Sequence, residues 1–150
     1  MVEASTSLPG EVRNPGSPIR VFILDDHELV RLGLRELLED EGFEVVGDTE
    51  SAQEATERIL LLRPDVAILD GRLPDGTGVE VCRNVRSITS AVQCLILTSY
   101  DDDQARSAAV LAGAAGYVLK EIPSTDLIDK IRGHVPPGGV IHRHRAGQLF

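Results

Sequence analysis

Ile19-Arg20-Val21-Phe22-Ile23-Leu24-Asp25-Asp26 is a short apolar run that ends abruptly in two carboxylates. A run that is β-branched and apolar on both faces suits a strand buried from both sides, with the acids at its carboxyl end. The pattern recurs downstream. Apolar runs at 43–47, 66–69, 93–97 and 116–119 alternate with segments of helical period, which predicts an α/β fold around a five-stranded parallel sheet.

The intervening segments carry their own signals. Val30, Leu34, Leu37 and Leu38 share one helical face, with Arg31, Arg35 and Glu39 on the other. A second helix opens at Ser51 with Glu54 three residues on, a capping-box spacing, and runs towards Leu62 before Pro64 stops it. The third is expected over about 79–87, the fourth over about 102–112 with Gly113 as its stop, and the fifth over about 124–132. The fourth is rich in alanine. With Val110 and Leu111 as its few large anchors, it is expected to be held less tightly than the others.

A chain of 150 residues, 42% hydrophobic and without tryptophan, makes one domain with a buried core. Its 24 acidic and 15 basic side chains leave a net charge of −9, which argues against a nucleic-acid or membrane surface. Between 19 and 132 there are 22 acids and 12 bases, a net of −10, so the acidity belongs to the fold. No apolar run approaches the ~20 residues of a membrane helix, and no signal peptide is visible, so a cytoplasmic protein is expected. Cys82 and Cys94 read as buried small apolar residues, since two cysteines without a ligand-spaced partner make no zinc site or disulfide framework. Residues 1–18 are rich in Pro and Gly and read as a disordered lead-in, and residues 133–150 as a C-terminal tail.

The polar residues fall at strand ends. Asp25 and Asp26 follow the first strand, Asp70 the third, Thr98 the fourth and Lys120 the fifth, where open α/β sheets bind ligands at the switch in strand order. Each aspartate alone is explained by helix capping. Their convergence is not. Close carboxylates repel by ~4 kcal/mol per pair at an effective dielectric near 20, so positive charge is required. Lys120, one of two lysines in the chain, supplies part of it, and a hard divalent cation held by oxygens, Mg2+ before Ca2+, supplies the rest. With both in place one carboxylate can attack a phosphoryl group and form an acyl phosphate, and the Thr98 hydroxyl can meet a phosphoryl oxygen once it arrives.

The ordered set Asp25-Asp26, Asp70, Thr98 and Lys120, with the loop Leu73-Pro74-Asp75-Gly76-Thr77-Gly78, resembles the receiver domain of two-component response regulators. Leu24-Asp25-Asp26-His27-Glu28, Arg72-Leu73-Pro74-Asp75-Gly76, Cys94-Leu95-Ile96-Leu97-Thr98-Ser99-Tyr100 and Gly113-Ala114-Ala115-Gly116-Tyr117 are similar to the NarL/FixJ group, in particular to DosR/DevR-like regulators. The resemblance covers about 19–132. It implies a flavodoxin-like (βα)5 three-layer sandwich with strand order 2-1-3-4-5. It implies Asp70 as phosphoacceptor, with Asp26 a direct Mg2+ ligand, Asp25 a ligand through water, and the Arg72 main-chain carbonyl a further ligand. Thr98 and Tyr117 would be the switch pair and Lys120 the phosphate counter-ion. It further implies a sensor histidine kinase as donor, a phosphorylation-dependent homodimer, and a self-phosphorylating, self-dephosphorylating signalling domain rather than a turnover enzyme. DNA would be reached only through an output domain. Regulators of this group carry a helix-turn-helix, and 18 residues of Pro, Gly, His and Arg cannot build one, which leaves either a regulator cut or frameshifted after the receiver or a single-domain receiver. Gly71 and Glu121 depart from the usual pattern, and Gly71 is expected to loosen the loop after the phosphoacceptor.

Other classes fit less well. A flavodoxin-like nucleotide or flavin binder needs a Ser/Thr/Gly-rich phosphate loop where this chain has two aspartates. An aspartyl-phosphate hydrolase wants a second acid two residues after its nucleophile, where Arg72 stands. A phosphorylation-independent interaction module remains as the alternative. Of the lesser features, His27 reads as a surface or capping residue of the first helix, and His142 and His144 as part of a solvated tail. Asp101-Asp102-Asp103 reads as the first turn of the fourth helix, and Tyr117 equally as core or switch.

Overall fold

Strands and helices alternate without interruption in the computed structural model, which describes residues 16–99, 103–120 and 124–135. They are β1 (Arg20–Leu24), α1 (Glu28–Asp40), β2 (Glu44–Thr49), α2 (Ala52–Leu62), β3 (Val66–Asp70), α3 (Gly78–Ile88), β4 (Gln93–Thr98), α4 (Asp103–Leu111), β5 (Gly116–Leu119) and α5 (Ser124–His134). The strands form one parallel sheet in the order β2-β1-β3-β4-β5, as expected. The lead-in as far as residue 15, the tail from 136 with its two histidines, and Tyr100, Asp101, Asp102 and Glu121 lie outside the described residues.

Strand periodicity divides the core into two layers. Phe22, Leu24, Leu69, Ile96 and Tyr117 project to the face covered by α2, α3 and α4, where Ile59, Val81, Val85 and Ala109 meet them. Val21, Ile23, Ile68, Leu95 and Val118 project the other way, onto Leu38 of α1 and Leu127, Ile128 and Ile131 of α5. Both cysteines are buried in the first layer, and Cys82 Sγ donates to the Ala112 carbonyl at 3.5 Å. No helix among the described residues is long and apolar enough to cross a membrane.

Several boundaries differ from expectation. β2 continues past Gly47 to Thr49, because Asp48 and Thr49 still pair with Ile23 and Leu24. α3 starts earlier, at Gly78, under a reciprocal cap: Thr77 Oγ1 accepts from the Glu80 N–H and Glu80 accepts from the Thr77 N–H. At Ser51 the box is only half formed. Ser51 Oγ accepts from Glu54 N–H, but the Glu54 carboxylate takes the Thr49 hydroxyl instead. α5 runs on to His134 and Val135 is buried, so the expected tail does not begin at 133.

Two helices sit differently from their sequence patterns. In α4 the expected anchors Val110 and Leu111 are 50% and 88% exposed, while Ala109 is fully buried. The alanine, not the large side chains, is the residue that faces the core. In α1 the first turn lies outside the packing, leaving Val30 and Leu29 exposed, and only Leu38 of the expected face is fully buried. Arg31 and Arg35, on the face opposite that apolar stripe, are half-buried and reach Asp48 on β2. Gly113 ends α4 with φ +92°, a conformation that favours glycine.

Candidate functional site

The order β2-β1-β3 means that the chain leaves β1 to one side through α1 and returns past it through α2. The crevice between the carboxyl ends of β1 and β3 is the topological switch point. Asp25 follows β1 and Asp70 closes β3, and both are almost wholly buried, at 1% and 4% exposure. Thr98 closes β4 and is buried too. Lys120 follows β5, held in register by its N–H donating to the Thr98 carbonyl at 2.7 Å.

These strand ends converge. Lys120 Nζ donates to Asp70 Oδ2 at 3.2 Å and lies 3.5 Å from Asp25 Oδ2. The Arg72 N–H donates to Asp70 Oδ1 at 3.4 Å, which bends the chain after β3 around the carboxylate. The Asp25 N–H donates to the Thr49 carbonyl at 3.1 Å. Asp26 stands one residue on, a quarter exposed, at the mouth. The Asp70 carboxyl pKa is raised, first by burial and then by the Asp25 charge, with Lys120 opposing. Burial pulls Lys120 down, but the Asp25 and Asp70 charges outweigh it and leave its pKa raised. Acid–acid repulsion thus reaches Asp70, and one ammonium does not cancel it.

The donor set suits a hard cation. Asp25 Oδ2 and Asp26 Oδ1 are buried and accept no hydrogen bond among the described residues. Asp25, Asp26, His27 and Asp70 can each offer a ligand atom, all within 4.8 Å of one another. Oxygen dominates, and buried acceptors left unsatisfied are what an oxygen-seeking ion such as Mg2+ fills. His27 is the N-cap of α1 but makes no side-chain cap bond. Its Nδ1 instead lies 3.3 Å from Asp25 Oδ1 and 3.2 Å from Asp26 Oδ1, closer to the acids than a plain surface residue.

The loop after Asp70 is shaped by close approach. Any Cβ at Gly78 would run into the Asp70 main-chain carbonyl, so α3 can begin against the phosphoacceptor candidate only with glycine there. Gly71 is likewise not slack. Its N–H donates to the Leu97 carbonyl at 2.9 Å, and a Cβ would lie 3.1 Å from Thr98 Oγ1, so its bare backbone makes room for the threonine. Asp75 at the loop tip accepts from Ser51 Oγ and from the Ala52 and Gln53 N–H groups, tying the loop to the start of α2 and lowering the Asp75 pKa. Tyr117 is buried, with the Arg106 guanidinium of α4 4.8 Å from its ring centroid. Asp103 opens α4, as the dipole favours.

Two contributors were not visible in the one-dimensional pattern: Asp75 as cap of a helix that precedes it by more than twenty residues, and Arg31. The four-residue step from His27 to Arg31 marked them as helical neighbours, but not that the guanidinium folds back to the Asp25 carbonyl at 2.8 Å.

Residues 21–132 match the response regulator receiver domain family. The chain is 50% identical over 115 residues to the DNA-binding transcriptional activator DevR/DosR of Mycobacterium tuberculosis, a match covering 76% of this chain and 53% of that protein. It is 35% identical over 125 residues to the transcriptional regulatory protein DegU of Brevibacillus brevis, covering 83% and 53%. The chain spans about half the length of these curated relatives. Among solved structures, a LuxR-family two-component response regulator from Aurantimonas superposes with a TM-score of 0.74 at 34% identity, covering 78% of this chain and 84% of that one. The signal receiver domain of the putative response regulator NarL from Mycobacterium tuberculosis does so with 0.71 at 34% identity, covering 78% and 98%.

Proposed function

The chain belongs to the response regulator receiver domain family, and from that premise we propose that it accepts a phosphoryl group on Asp70 and passes the signal on by a change of conformation and association. The observation that carries the reading is the convergence of Asp25, Asp70 and Lys120 at the switch point, with Lys120 Nζ 3.2 Å from Asp70 Oδ2.

The chemistry follows from the charges. A carboxylate oxygen of Asp70 forms the new O–P bond as the phosphohistidine P–N bond of a sensor histidine kinase breaks, and the leaving nitrogen keeps the electron pair. Lys120 is the counter-ion of the transferred phosphoryl group, and the Thr98 hydroxyl donates to one of its oxygens. Asp25, Asp26, Asp70 and the Arg72 main-chain carbonyl would hold Mg2+. When bound, the ion supplies the positive charge that lets a phosphate approach three carboxylates.

Thr98 moves towards the new charge and leaves space beneath it. Tyr117 of β5, beside the Arg106 guanidinium, takes up that space, which remodels the face of α4, β5 and α5 and favours a homodimer. The chain acts in the cytoplasm as a signalling domain without steady turnover. Residues from 19 through α5 form the phosphoacceptor unit, and transcriptional output falls to a DNA-binding domain of the full-length regulator.

Intact mass after incubation with acetyl phosphate tests this, with and without Mg2+, on the native chain and Asp70→Asn. The expected result is a Mg2+-dependent gain of one phosphoryl group that the variant loses. Unchanged mass of the native chain, with Mg2+ bound, would instead indicate a phosphorylation-independent interaction module.

A further inference from the structure

The acidic loop contains a physical conflict. Asp25 Oδ2 and Asp26 Oδ1 are buried with no hydrogen bond to accept, and carboxylates in that state gain by turning out to water. The loop must be held inward before any cation arrives. The Asp25 N–H bond to the Thr49 carbonyl supplies one tie. The His27 N–H donating to Asp25 Oδ1 at 2.9 Å and Lys120 Nζ 3.5 Å from Asp25 Oδ2 supply two more, both at the carboxylate; α1 supplies a further one, at the main chain.

Arg31 follows His27 by one helical turn, and its N–H donates to the His27 carbonyl at 3.0 Å. Its side chain, 16% exposed, folds back so that Nη1 donates to the Asp25 main-chain carbonyl at 2.8 Å. Nε of the same guanidinium lies 3.3 Å from Asp48 Oδ1 on β2, the neighbouring strand. The fork therefore joins the acidic loop to β2 and touches that loop at a carbonyl, so it takes up none of the carboxylate oxygens of Asp25 and Asp26 itself. Its charge is matched by Asp48. Arg35 shares Asp48, donating to Oδ2 at 2.7 Å, but does not reach Asp25.

We propose that Arg31 is a positioning residue for the cation site: by clamping the Asp25 carbonyl to β2 it holds Asp25 and Asp26 ready for the ion. Binding then carries little cost for ordering the loop. The inference rests on the Mg2+ reading of the pocket given above.

The test is isothermal titration of Mg2+ into the full chain at neutral pH, with melting curves in EDTA reading stability separately. Arg31→Met keeps the alkyl stem and removes every donor, and it is expected to raise the Mg2+ dissociation constant about tenfold, the lower end of what orienting partners of metal ligands contribute. Arg31→Lys restores one donor and recovers part of the affinity. Arg35→Met, which loosens Asp48 alone, stays within about twofold of the native chain. Native affinity in Arg31→Met overturns the proposal. So does an equal loss in Arg35→Met, which would make the effect one of Asp48 or general stability. Should Arg31→Met fail to fold, native affinity in Arg31→Lys overturns it as well, since Arg31 then serves folding only. A native chain that binds no Mg2+ removes the cation reading itself and the inference with it, a result distinct from a native chain that binds and an Arg31 variant that binds equally well.

Discussion

Burial and the Asp25 charge raise the Asp70 pKa, and Lys120 only partly offsets them. A carboxyl whose folded pKa is raised destabilises the fold in its charged form, so stability is lost as pH rises from below the ordinary 3.8 through the folded value. Asp70→Asn is therefore expected to melt higher than the native chain at pH 7 in EDTA, with the gap closing on acidification towards pH 3. A native chain that melts as high as the variant at pH 7 would contradict this. On the expected result, the residue that carries the proposed chemistry is one that the fold tolerates rather than uses. Lys120 has the opposite sense, since its raised pKa gives stability present below 10.5 and lost as pH climbs through the folded value. The five strand-end positions were legible because each polar residue interrupts an apolar run at the same relative place. Arg31 was not, because nothing in a helical pattern distinguishes an arginine that folds back onto a carbonyl from one that extends into water.

Among the elements, α3 and α4 yield the clearest tests. The Thr77–Glu80 box opens α3 directly after the loop that follows Asp70, so Thr77→Ala is expected to cost about 1 kcal/mol in urea unfolding. Thr77→Ser should retain most of that. In α4 the exposure pattern inverts the expectation from residue size. Leu111→Ala should change stability by less than about 0.5 kcal/mol, whereas Ala109→Leu, forced into a fully buried site, should cost about 1–3 kcal/mol. The reverse ranking would mean that Leu111 packs after all. The weak hydrophobic anchoring of α4 was legible as alanine content. Which residue faces inward was not, because Ala109 and Leu111 differ by two positions and only the seating of the helix on the sheet decides between them.

At the scale of the molecule, one sheet joins two apolar layers, with Ile59 of α2 fully buried in one and Ile131 of α5 fully buried in the other. Because β1, β3 and β4 contribute to both layers, damage on either side should weaken a single cooperative unit. Ile59→Ala and Ile131→Ala are each expected to cost about 2–5 kcal/mol, with one urea transition and an unchanged slope. A second transition in either variant would show that the layers unfold separately. The sequence by itself determined the class of the fold and the chemistry of its polar ends, since short continuous apolar runs demand burial on both faces and acids at their ends cannot continue them. Only the tertiary structure decided how the loops are held: that Asp75 caps a helix from across the crevice, that Gly71 yields its side-chain space to Thr98, and that Arg31 ties the acidic loop to β2. Those contacts join residues distant in sequence or depend on how a side chain turns, and periodicity, which reports only the face a residue occupies, does not contain that information.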